Sequence, residues 1–149
     1  MPEKTNASVS FKLIDIGLQE FELTQVDIEQ KDLKSFSHII NIEHGLNIED
    51  NVVIVTVSIE IATEKTKIRV GKTKQIFAFE IKNLNEFVNS SVEGVTLETQ
   101  LTNLLNSVSI STARGVSFMQ FRGTYLHKAF IPIINVAGIS RIEDQQVSS

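Results

Sequence analysis

A chain of 149 residues with 14 Lys and Arg against 18 Asp and Glu carries a net charge of −4, an acidic balance that argues against a general nucleic-acid binder. It has no cysteine, which excludes disulfide frameworks, thiolate metal sites and cysteine nucleophiles, and fits a reducing compartment. One domain over 1–149 is expected, because a chain of this length buries about two-thirds of its unfolded surface without staples. No run of about 18 apolar residues spans a membrane. Met1-Pro2-Glu3-Lys4-Thr5-Asn6 leads into no apolar signal core, so a cytoplasmic location is expected.

The first element is a strand. Val9, Phe11 and Leu13 alternate with Ser8, Ser10 and Lys12, the period-2 signature of a half-buried strand over 8–16. Ile14 and Ile16 fall on the opposite face, which calls for a bulge or for cover on both sides. Gly17 suits a break, and Phe21-Glu22-Leu23 resumes extended chain. Gln25 to Lys34 is polar and reads as a connection. Phe36 to Ile42 is a second strand, and Gly45 with Asn47 to Asn51 marks a turn. The clearest strand is Val52 to Ala62, with Val53, Val55, Val57, Ile59 and Ile61 on one face and Thr56, Ser58 and Glu60 on the other, as in a one-sided antiparallel sheet. Thr63 to Thr66 forms a polar turn. The next strand covers Lys67 to Ile81. Its apolar face switches from Ile68 and Val70 to Phe77, Phe79 and Ile81, which requires a bulge or kink at Gly71.

Beyond Asn83 the period changes. Leu84, Phe87 and Val88 have helical spacing and Gly94 ends that piece. Leu97, Leu101, Leu104, Leu105 and Val108 continue as a helical stripe with Thr96 as N-cap. Ser107 to Thr112 also alternates like a strand, but a long helix from about Leu97 to Phe121 is expected, stopped at Gly123. Thr124 to Asn135 is apolar and irregular, with Pro132 opposing a helix, and 143–149 is expected to fray. Strands followed by helix define an α+β domain with an antiparallel sheet.

Chemistry is scarce. His38, His44 and His127 share no metal-ligand spacing. His38 and His44 lie on one strand face with Glu43 on the other. Gly71-Lys72-Thr73 lacks the earlier glycine, preceding strand and following helix of a phosphate loop. No nucleophile elbow or paired-carboxylate helix motif is present. The chain is therefore expected to be no enzyme and to need no cofactor or metal. Lys65, Lys67, Arg69, Lys72 and Lys74 make a cationic hairpin in an acidic chain. Such a patch is either a solvated face or a contact for an acidic partner.

Leu101 to Asn135 resembles the C-terminal half of the SecB family of export chaperones. The resemblance rests on the helix segment with Ala113-Arg114, the Arg122-Gly123-Thr124 turn that ends it, and the apolar loop through Pro132 and Asn135. Ser10-Phe11-Lys12-Leu13 is similar to the family's first strand. Val53 to Ala62, followed by a charged turn and Ile76-Phe77-Ala78-Phe79, is similar to its central hairpin. This implies a four-stranded antiparallel sheet with a long C-terminal helix on one face, assembled into a homotetramer (a dimer of dimers). It implies a holdase for unfolded polypeptides, which serves protein export through an export ATPase or protects a dedicated client such as an antitoxin. The export-delivering members carry acidic sheet-surface residues and a longer polar tail. Here the hairpin is basic and the tail short.

A holdase must expose apolar surface without collapsing, and offsets the risk with charge, small residues and closed oligomers. Phe118, Met119, Phe121, Tyr125, Leu126, Phe130 and Ile131, beside Arg122 and Lys128, are the expected client surface, since aromatics and Met make adaptable contacts. Each of these is equally readable as core beneath the helix. Ser111, Ala113 and Gly115 suit a close helix contact between subunits. Two other classes stay open: a carrier of a small apolar ligand, and an assembly module for one folded partner.

Overall fold

Val53, Val55, Val57, Ile59 and Ile61 all turn to the same side of their strand and all are buried, so the alternation that marks the sequence also builds the core. A computed structural model describes residues 9–24, 35–133 and 141–143. The expected connection Gln25–Lys34, Asn135 of the apolar loop and the tail after Glu143 lie outside the described residues. The strands are β1 (Phe11–Leu23), β2 (Phe36–Asn47), β3 (Val52–Thr63) and β4 (Arg69–Ile81). A short 3-10 helix (Leu84–Phe87), a hairpin of β5 (Val88–Ser91) and β6 (Gly94–Leu97), the helix α1 (Thr99–Gln120) and β7 (Arg141–Glu143) follow.

The sheet runs β1-β4-β3-β2-β7, antiparallel throughout. Its four long strands are the expected ones. β7 adds three residues beside Ile39, Ile40 and Asn41, so Glu143 belongs to a strand and not to a frayed tail. β2 pairs with β3 without interruption from Phe36↔Thr63 to Asn47↔Val52, longer than the sequence pattern indicated. β1 also runs on through Gly17, which lies opposite Ile76. Its change of face comes from two register shifts, between Leu13 and Asp15 and between Leu18 and Glu20. In β4 the expected bulge is present: Ile61 pairs with Gly71 and Ala62 with Arg69, leaving Val70 as the extra residue. A Cβ on Gly71 would lie 2.6 Å from Leu126 Cδ1 and 3.4 Å from the Phe121 ring, so this glycine lets the segment after the helix lie directly on the sheet.

The expected helical piece ended by Gly94 is a correction. Leu84 and Phe87 form a 3-10 turn, and Gly94 sits at positive φ (127°) in the β5–β6 turn. The apparent helical spacing was a chance alignment across two short elements. Thr96 does not cap α1. It pairs with Asn89 across that hairpin, and Glu98 is the residue before the helix, with no side-chain cap bond. Ser107 to Thr112 is helical, as the longer stripe required. Gly123, with φ of 80°, follows the helix end as expected.

α1 presents Leu101, Leu105, Ile110, Ala113 and Ser117 to the sheet. Under its second half the contact is partly polar. Gln75 Nε2 donates to Ser117 Oγ (3.1 Å) and Thr73 Oγ1 (3.3 Å), and Thr73 donates to Gln120 Oε1 (2.7 Å). His44 Nε2 donates to Asn106 Oδ1 at 2.6 Å near the other end. These bonds are directional and fix the helix along the sheet in a way apolar packing alone does not.

Candidate functional site

Three segments meet at the C-terminal end of α1: the last helical turns, the loop from Phe121 to Ile133, and the adjoining ends of β1 and β4. The loop folds back because four side chains anchor it. Phe121 is buried and its ring lies 5.2 Å from that of Phe21. Leu126 and Ile131 are buried in the same core. Tyr125 donates its hydroxyl to the carbonyls of Thr24 and Val70, tying the loop to the end of β1 and the start of β4.

Phe121, Leu126 and Ile131 are therefore corrections to the expected apolar surface, because they seat the loop on Gly71 and the sheet. Tyr125 is half-buried and acts as a latch. Surface remains at Phe118, Met119 and Phe130, which are 39%, 59% and 56% exposed, joined by the neighbouring Ile133. Phe118 stacks on Phe130 with centroids 5.9 Å apart and planes 17° apart, and the His127 ring lies 5.3 Å from that of Phe118, tilted by 43°. Composition alone marked the cluster but could not say which members turn inward.

The sequence reading missed a second strip. Ile16, Leu18 and Phe21 of β1 pair with Phe77, Gln75 and Thr73 and so share the helix side of the sheet. The helix does not cover this edge, and all three remain exposed. The signal was available as a surplus of apolar residues on both faces of one strand.

The cationic hairpin is divided by the fold. Lys65 and Lys67 sit exposed at its tip. Arg69 lies 3.3 Å from Glu22 and 3.4 Å from Glu60, and Lys72 lies 2.9 Å from Glu20. That contact holds the Glu20 carboxyl below its usual range and raises the Lys72 ammonium. Lys74 stands beside them, lining an open polar hollow of about 320 Å³ with Asn41, Glu43, Ser58 and Glu60 on the face away from the helix. Two of the five cations, Arg69 and Lys72, are thus matched by glutamates that β1 and β3 bring alongside, and exposed pairs of this kind contribute little to stability.

The proposed subunit contact also changes. Ala113 is buried against the sheet within the chain. Ser111 and Gly115 lie on the outward face with Leu104, Ser107, Phe118 and Met119. Arg114 is the sole charged residue in the 22 residues of α1.

His38 and His44 lie on one face of β2, as expected; His38 is buried and His44 is exposed. His38 Nε2 meets the Ala129 carbonyl at 3.3 Å. Among the described residues no group of three His, Asp or Glu side chains could hold a metal, and no helix is long and apolar enough to cross a membrane. Gly71-Lys72-Thr73 lies within a strand, with no helix following to cradle a phosphate.

Tyr125 can be tested directly. Burial pushes its pKa above the usual 10.0. Folding favours the neutral phenol, so this contribution is fully present below the unfolded value and is lost as pH rises through the folded one. It is the only tyrosine and tryptophan is absent. Phenolate absorbance of the native chain should therefore titrate at higher pH than that of the urea-unfolded chain. Coincident titrations would show that the hydroxyl is not held.

No family model matches the sequence, and no curated protein matches it. Among solved structures, the chain is similar to the Mycobacterium tuberculosis Rv1957 SecB-like chaperone in complex with a ChAD peptide from the Rv1956 HigA1 antitoxin. The two superpose with a TM-score of 0.61 at 8% identity, covering 83% of this chain and 89% of that one. The architecture is thus the SecB-like α+β fold, established by shape and not by sequence.

Proposed function

We propose that this protein is a non-enzymatic cytoplasmic chaperone that holds unfolded or aggregation-prone polypeptides. The observation that carries this reading is the apolar surface left open on a SecB-like fold: Phe118, Met119 and Phe130 at the helix end, and Ile16, Leu18 and Phe21 along β1. Aromatic and Met side chains of this kind make sequence-tolerant contacts. The client is an extended apolar segment. Because the similar solved structure holds an antitoxin peptide, a dedicated client such as an antitoxin is favoured over delivery to an export ATPase. The crevice between α1 and the loop holds only about 10 Å³, too little for an organic ligand at that place.

The test is to dilute a chemically unfolded model protein into buffer with the chain and follow scattering. Suppression at near-stoichiometric amounts supports holding. Unchanged scattering, with tight binding of one folded partner instead, would favour the assembly module.

The same reading includes a dimer of dimers. A surface helix usually carries charge on its solvent face, whereas the outward face of α1 is Leu104, Ser107, Ser111, Gly115, Phe118 and Met119. Ser111 and Gly115 allow close approach of another helix. Light scattering should give about four times the 16.6 kDa chain mass. A monomer at micromolar concentration would remove this part of the proposal.

A further inference from the structure

Arg114 has no carboxylate within ion-pair distance among the described residues, although it is the one charge on α1. Its guanidinium instead spans two successive carbonyls of the loop: Nε donates to Ile131 O at 2.9 Å and a terminal nitrogen to Pro132 O at 3.0 Å. Charge-assisted bonds of this type are among the stronger ones available, and the planar fork fixes direction as well as distance. Arg114 and Phe118 stand four residues apart, so they project from the same side of the helix one turn apart. One grips the backbone just after Phe130, and the other receives the Phe130 ring by stacking. Ile131, whose carbonyl Arg114 holds, also buries its side chain in the core. Backbone and ring are thus held at two points one helical turn apart, a preorganisation that reduces the ordering cost when a client docks.

We propose that Arg114 is the positioning residue of the apolar surface: it sets where Phe130 stands beside Phe118 and so governs the affinity for extended apolar segments without touching them. This inference rests on the holding function proposed above. Lysine keeps the charge but cannot reproduce the fork across two carbonyls.

The test is a double-mutant cycle read by binding of a fluorescent, unstructured apolar peptide, with melting temperature recorded for every variant. Arg114→Met is expected to weaken binding by about tenfold. Phe130→Ala is expected to weaken it too. In the Phe130→Ala background, Arg114→Met should add little further loss, because the side chain it positions is gone. A merely structural arginine would lower affinity equally in both backgrounds, and that result overturns the proposal. So does wild-type affinity in a folded Arg114→Met. If that variant does not fold, Arg114→Lys decides: weaker binding at an unchanged melting temperature supports the role, and wild-type binding overturns it. If the unsubstituted chain captures no unfolded polypeptide at all, it is the holding function that fails.

Discussion

Phe121→Ala is expected to destabilise the chain by about 3–5 kcal/mol, the range for removing a buried phenyl ring, and to lower Tm by about 6–20 °C at this chain length. The side chain is 1% exposed and in ring contact with Phe21, and it covers Gly71. Its loss leaves a cavity under the loop that Leu126 cannot fill, because Leu126 is itself anchored in the core. Thermal unfolding measured by circular dichroism checks the effect. A shift of less than about 2 °C would mean that the loop does not rest on the sheet as described. This result also fixes the interpretation of any loss of client binding in that variant, which would follow from unfolding and not from a missing contact.

The opposite signature is expected for the exposed pair. The double variant Phe118→Asp with Phe130→Asp should abolish suppression of aggregation while lowering Tm by only about 1–6 °C, since an aromatic pair contributes about 0.5–1.5 kcal/mol beyond its burial. Two carboxylates here stay solvated in the free protein, but an apolar client segment would have to desolvate them without a partner. Parallel measurement of Tm and light scattering separates the cases. Retained holding by the folded double variant would move the client surface to the Ile16, Leu18 and Phe21 strip of β1. A collapse of Tm as large as that of Phe121→Ala would show that the pair is core.

Comparing the two positions shows what the residues alone could convey. Period-2 alternation made β3 legible to within a residue, and the switch of apolar face across Gly71 located a real bulge, because both signals depend only on neighbours along the chain. The helix and its stop at Gly123 were legible for the same reason. The β5–β6 hairpin was not, since four-residue strands are too short to show a period and Leu84, Phe87 and Val88 happened to mimic one. Inward and outward members of the 118–131 cluster differ through what the loop lands on, and that is a matter of Gly71 and Val70, some fifty residues away by chain position. Likewise the lysine-rich hairpin looked positive because Glu20 and Glu22, its partners, come from a remote strand.

The pairing of β2 with β3 carries no bulge over its whole length, whereas β1 already holds two extra residues against β4. A residue inserted within β2 or β3 would turn every core side chain beyond it toward water. An insertion in β1 need only enlarge an existing bulge at a sheet edge. Insertions are therefore expected to be tolerated best in the edge strand β1 and the connections, and least in the unbroken pairing of β2 with β3. A fold held by spacing in this way constrains few identities, in keeping with the 8% that this chain shares with the mycobacterial protein of similar shape.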